Sequence, residues 1–299
     1  PVYNSALTLR PLVQRLSAAL PGLADRWEVI LVNDGSRDDS WAVVRELARG
    51  QGNVRGINLA RNSGQHAALL CGVRRAQGEL VVTLDDDLQH PPEEISELLA
   101  GLNDDIDLVY GRADREEQDL WRTLGSRLVR WALGHTVGAA IARNASAFRL
   151  FRTRLRDGFS AFVGPQVSLD VLLSWSARGS SVVTVEHRPR EVGRSTYTLA
   201  KLIGLAMDLI TGYSVAPLRF ASWLGIAFMG FGLGVLVYVV GRYLVEGGSV
   251  PGFPFLASLI AIFSGVQLLT LGIFGQYLGR IHQRSLDRPA YIVREEVGP

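Results

Sequence analysis

ELVVTLDDDLQHPPEE, residues 79–94, is the stretch whose reading decides the fold. It opens as an apolar, β-branched run of strand length. It closes on PPEEISELL (91–99), with proline inside the first turn and acids at the positive end of the helix dipole. Strand, acidic break and helix therefore follow one another within a few residues. Similar strand runs occur at WEVILV (27–32), VRGINL (54–59) and DLVYG (107–111), with helical patterns near 5–20, 38–50, 64–77 and 92–102. This alternation predicts an α/β domain over residues 1–195, with a mostly parallel sheet covered by helices on both faces. Asp85, Asp86 and Asp87 repel one another and need compensation, either from solvent at a turn or from a bound cation.

Composition narrows the classes. The chain has 299 residues and a formal net charge of +2, with arginines dispersed, so nothing points to nucleic acid as a partner. The single cysteine, Cys71, forms no intrachain disulfide, which suits a reducing compartment, and it sits in a helix pattern as a small buried residue. No CxxC or HExxH pattern suggests structural zinc. The opening PVYNS carries no Met and no signal-peptide pattern, and an apolar strand is expected before it.

The solvent preference changes after residue 196. Phe220–Gly241 is 22 residues without Asp, Glu, Lys or Arg, and Gly247–Gly279 is 33 more. A bilayer span needs about 20 apolar helical residues. A transmembrane hairpin is expected over 218–282, with spans at 220–243 and 255–279. Arg219 precedes it, and Arg280, Arg284 and Arg288 follow it. That bias puts both ends, and the α/β domain, on the cytoplasmic side of the inner membrane, with 283–299 as a cytoplasmic tail. Within the linker 196–217, the segment 198–211 carries Leu199, Leu202, Ile203, Ala206, Leu209 and Ile210 at helical spacing. It reads as an amphipathic helix at the membrane surface.

In open parallel sheets, ligands bind beyond the carboxyl ends of the strands. Two acidic groups stand at such ends: Asp34, after Asn33 in VILVNDGS, and Asp85–Asp87. Mg²⁺ or Mn²⁺ takes hard oxygen ligands, often one or two carboxylates together with substrate phosphates. Asp85 and Asp87 point to opposite sides of a regular strand, so both reach one metal only if the chain turns there. Gln89 is able to add a carbonyl oxygen. Arg61, Arg112, Arg127 and Arg190 are cations suited to an anionic ligand, and Arg112 stands out because it follows a predicted strand end. His66 and His135 read as structural, and His90, beside Pro91 and Pro92, as part of a turn.

PVYN (1–4), VNDGS (32–36), RNSGQHAAL (61–69), TLDDDLQHPPEE (83–94) and REVGRSTY (190–197), followed by two spans, resemble the GT-A-fold, family 2 polyprenyl-phosphate glycosyltransferases. The resemblance covers nearly the whole chain. It implies inverting transfer of a sugar from a nucleotide sugar, expected to be UDP-linked, to undecaprenyl phosphate. By motif match it implies that Pro1, Tyr3, Asp34, Asp85 and Asp86 bind the nucleotide. It likewise gives Asp87 and Gln89 to Mg²⁺ or Mn²⁺, and Arg112, Arg127, Arg190 and Ser195 to the acceptor phosphate. Asp87 and the three arginines are the expected catalytic groups, and relatives suggest a homotetramer. The chain departs from the family at Thr196, where Lys is usual, at Asn33, where Asp is common, and at Arg143–Asn144, where an acid is common. A processive polysaccharide synthase is the alternative enzyme, but the QxxRW motif and additional spans are missing. An inactive homologue that anchors or regulates a membrane sugar pathway is the alternative outside enzymes.

Overall fold

A computed structural model describes residues 1–113, 146–164, 167–186, 215–246 and 252–298. The chain divides into two units, Pro1–Thr198 with Leu286–Pro299, and Leu199–Ser285.

In the first unit the elements run α1 (Leu9–Ala19), β1 (Val29–Asn33), α2 (Ser40–Gly50), β2 (Val54–Leu59), α3 (Gln65–Arg75), β3 (Leu80–Thr83), α4 (Ile95–Ala100), β4 (Leu108–Ala113), β5 (Arg149–Arg152), α5 (Leu169–Ser176), β6 (Ser180–Val185) and β7 (Val293–Val297). On α1 the buried residues are Leu9, Leu12, Val13 and Leu16, the i, i+3, i+4, i+7 stripe of an amphipathic helix. β1 is buried at nearly every position, as expected of a strand covered on both faces.

Among the described residues the strands pair as two sheets. In one, β1 and β2 run parallel, with Asn33 opposite Asn58, and β7 lies antiparallel on the other edge of β2. In the other, the order is β3-β5-β4-β6. There β5 is antiparallel to both neighbours, while β4 and β6 are parallel. The α/β class holds, but the expected mostly parallel sheet is mixed. An apolar run marks a strand without marking its direction. Direction depends on where the intervening chain returns, and β5 and β7 both return reversed.

β7 is an element the sequence reading lacks. Its burial alternates along the strand. Two side-chain links fix its register: Trp41 Nε1 donates to Glu295 at 3.1 Å, and Arg75 pairs with Glu296 at 2.5 Å. Just before it, the Ile292 carbonyl accepts from Ala60 N–H at 2.8 Å. The Tyr291 ring lies under the Arg74 guanidinium, 6.0 Å from its centroid.

Among its described residues the second unit contains two long helices, α6 (Ala216–Glu246) and α7 (Phe253–Ser285). By length and composition, Pro217–Val245 and Ile262–Ser285 are each able to cross a membrane. Their apolar side chains face outward, with Leu244 76% and Val245 85% exposed. Phe263 joins the pair, edge-on to Phe228 at 5.9 Å and over Gly232. A water-soluble protein rarely presents so much contiguous apolar surface. The expected amphipathic helix at 198–211 lies outside the described residues.

Candidate functional site

The carboxyl ends of β1 and β3 carry the two acidic groups. At β1, Val2 bridges in parallel to Asn33: its N–H donates to Val32 O, and its carbonyl accepts from Asp34 N–H. Asp34 is 3% exposed. Its carboxylate accepts from Ser63 N–H at 2.6 Å and Gly64 N–H at 2.9 Å, and Asn62 Nδ2 donates to its carbonyl at 3.1 Å. Asp34 thus clamps the loop 62–64 that leads into α3. Burial pushes its carboxyl upward, and the two backbone N–H groups oppose that shift. The residue expected to bind the nucleotide therefore has both oxygens engaged by this loop.

Beyond β3 the chain turns at Asp86–Asp87, and Leu88 adopts the left-handed region with φ 62°. A leucine there costs about 1–2 kcal/mol. The strain accompanies the turn that carries Asp86 and Asp87 out of the strand. Each aspartate has a partner from a different segment. Gln65 Nε2 donates to Asp85 at 2.6 Å, Tyr3 N–H to Asp86 at 3.1 Å and Gln89 N–H to Asp87 at 3.1 Å. All three are half-buried. Burial pushes the Asp85 carboxyl up, and the Asp87 and Asp86 charges push it further. His90 stacks on Phe148, with centroids 5.2 Å apart, as part of the turn into Pro91 and Pro92.

Tyr3 is 46% exposed beside this turn, and Pro1 is half-buried. Arg112 is exposed near the end of β4, opposite Thr184 of β6. Arg127, Arg190, Ser195, Thr196, Arg143, Asn144 and His135 lie outside the described residues. Cys71 is fully buried, and burial pushes its thiol up to about 11, so it is not a reactive thiolate.

Sequence reasoning missed a cluster behind the aspartates. Arg149, 1% exposed, donates from Nε to Thr83 Oγ1 at 3.0 Å and pairs with Asp170. Tyr110 OH donates to the same Asp170 oxygen at 3.4 Å, and Leu169 N–H donates to His66 Nδ1 at 3.3 Å. One signal was available: an Arg inside the apolar strand pattern FRLF (148–151).

Burial pushes the His66 imidazole below its ordinary value; Asp170 favours its cation and Arg149 disfavours it. Below about pH 6.5 the unfolded chain binds a proton that native His66 resists. Stability from this group is therefore present above about pH 6.5 and lost as pH falls. Melting temperature is expected to drop between about pH 7 and about pH 5.5, and to drop less in His66→Gln. Equal slopes in thermal melts of the two proteins would refute the assignment.

As to metal, no three His, Cys, Asp or Glu side chains form a ready cage among the described residues. The three-aspartate turn instead presents carboxylate oxygens, the hard donor type that Mg²⁺ and Mn²⁺ share with phosphates.

Comparison with known proteins bears on all of this. The sequence model of Glycosyl transferase family 2 matches residues 1–157. An undecaprenyl-phosphate 4-deoxy-4-formamido-L-arabinose transferase of Salmonella paratyphi A is 34% identical over 302 residues, covering 100% of this chain and 92% of the relative. A transferase of the same name from Sodalis glossinidius is 36% identical over 298 residues, covering 98% and 91%. Among solved structures, glucosyl-3-phosphoglycerate synthase from Mycobacterium tuberculosis, in complex with Mn²⁺, UDP-glucose and phosphoglyceric acid, superposes with a TM-score of 0.51. At 17% identity it covers 71% of this chain and 75% of its own, which shows a shared GT-A-like fold.

Proposed function

The chain belongs to glycosyl transferase family 2, and on that premise we propose that it moves a sugar, with inversion, from a UDP-sugar to undecaprenyl phosphate. The observation that carries this reading is the full-length similarity to transferases of that named activity, which spans the acidic turn and the two apolar helices together.

In this scheme Tyr3, Asp85 and Asp86 bind the nucleotide with Pro1 beside them, and Asp34 holds the 62–64 loop around it. Asp87, with Gln89 next to it in the turn, holds Mg²⁺ or Mn²⁺. When bound, the cation neutralises charge that develops on the departing diphosphate. The structure in the same fold class that carries Mn²⁺ and UDP-glucose supports this donor chemistry. Arg112, with Arg127 and Arg190, orients the acceptor phosphate, and Ser195 adds a hydroxyl donor.

The acceptor is a phosphate monoester with a second pKa near ~6, so it is mostly dianionic at neutral pH. Its oxygen attacks the anomeric carbon on the face opposite the diphosphate. The C–O bond to the diphosphate breaks, and the electron pair leaves with it. No proton has to move, so positioning outweighs base catalysis. The absent acid at 143–144 is then no obstacle.

The hairpin anchors the chain in the cytoplasmic membrane, where a polyprenyl acceptor resides, with the first unit in the cytoplasm. Two spans return the chain to the side it left, which agrees with residues 286–298 rejoining the unit that precedes them. The test is a donor screen: purified protein, radiolabelled UDP-sugars, undecaprenyl phosphate, and Mn²⁺ or Mg²⁺. A lipid-linked sugar is expected with one donor. No lipid product from any UDP-sugar, with normal UDP binding, would refute the reading.

A further inference from the structure

The charged cluster behind the aspartates has no part in that scheme. A guanidinium as buried as Arg149 is costly unless its donors are matched. They are matched to two elements at once. Nε holds Thr83, the last residue of β3, and Nη1 holds Asp170, the second residue of α5. Thr83 in turn donates to the Ala147 carbonyl at 2.8 Å. On the far side, the start of α5 donates to His66, the second residue of α3. The first residue of α3 is Gln65, which holds Asp85. The fork of Arg149 therefore sits between two routes to one carboxylate, along the strand through Thr83 and across α5 and α3 through Gln65.

We propose that Arg149 is a positioning residue of the donor site, fixing the direction in which Asp85–Asp87 leave the sheet by tying the end of β3 to the start of α5. The inference rests on the reading of that turn as the donor site. A planar fork constrains both angle and distance between the elements it joins, which apolar packing at the same place would not. Its partner Asp170 belongs to the same device, and both act through the elements they join.

The test uses the full chain in detergent with four readouts: melting temperature, UDP affinity in Mn²⁺, turnover, and KM for undecaprenyl phosphate. Replacing a buried ion pair by apolar groups of similar volume is often neutral for stability. Arg149→Met combined with Asp170→Leu is therefore expected to melt near wild type. It should bind UDP about 10-fold more weakly and turn over about 10²-fold more slowly, with acceptor KM unchanged, because small misplacements of reacting groups carry such penalties. Arg149→Lys keeps the charge but has a single donor nitrogen in place of the planar fork, and is expected to recover part of both losses.

A double variant that binds UDP and turns over like wild type would reduce the ion pair to a structural one and overturn the proposal. So would losses shared equally by donor affinity and acceptor KM. Should the double variant fail to fold, Arg149→Lys decides. Weaker UDP binding at unchanged melting temperature supports the proposal, and unchanged UDP binding at lowered melting temperature overturns it. Wild-type protein that binds no UDP in Mn²⁺ would sink the donor-site reading itself, and the inference with it. Binding by wild type and variants alike sinks the inference alone.

Discussion

Asp87→Ala is expected to lower sugar transfer by at least about 10²-fold, the scale of losing a major electrostatic contact to a transition state. The carboxylate stands in the turn after β3, where one oxygen accepts from Gln89 N–H at 3.1 Å. Alanine removes both the charge and that turn bond, so a second variant is needed to separate them. Asp87→Asn keeps an oxygen able to accept from Gln89 and loses only the charge. If Asp87 serves the cation, Asn is nearly as inactive as Ala, and both raise the Mn²⁺ concentration needed for half-activity. If it serves the turn alone, Asn is near normal. Initial rates across a Mn²⁺ titration discriminate the two, and near-normal turnover in Asp87→Ala would remove the metal assignment.

Asp34→Ala is expected to destabilise the first unit by about 2 kcal/mol, from loss of charge-assisted bonds to two backbone N–H groups. The loss is no larger because Ser63 and Gly64 are only part-buried and water is able to replace some of what is lost. For a domain of this size that is about 4–8 °C in melting temperature. The clamp has little room to adapt. At Gly35, with φ +64°, an added Cβ would lie 2.5 Å from Asn62 N, so the turn after β1 and the 62–64 loop approach as backbone on backbone. Losing the carboxylate therefore frees the loop that leads into α3 and Gln65. Wild-type protein is expected to gain thermal stability from UDP with Mn²⁺, and the alanine variant to gain much less. Equal protection in both would show that the loop takes no part in donor binding.

Much of this was legible in the chain. The run 79–94 reads as strand, turn and helix start, and the structure has β3, the Asp86–Asp87 turn, and Pro92–Glu94 leading into α4. Asp85 and Asp87 were able to reach one ion only if the chain turned between them, and a turn is there, with Leu88 in the left-handed region. The two apolar runs became α6 and α7, since length and composition alone define such helices. His90 and Cys71, read as turn and core, occupy those places.

What escaped the sequence was long-range. Trp41 meets Glu295, 254 residues away, and Arg75 meets Glu296, 221 residues away; together they place β7 on β2. Thr83 meets Arg149 across 66 residues, and Asp34 takes Ser63 across 29.

By itself the sequence determined the elements, the acidic strand ends and the membrane-length helices, because periodicity, apolar runs and adjacent like charges act within a few residues. Only the tertiary structure decided that the chain after α7 returns as a strand, that Asp34 spends its oxygens on a loop, and that a buried arginine stands behind the aspartates. Those outcomes depend on strand order and direction, which no local pattern encodes.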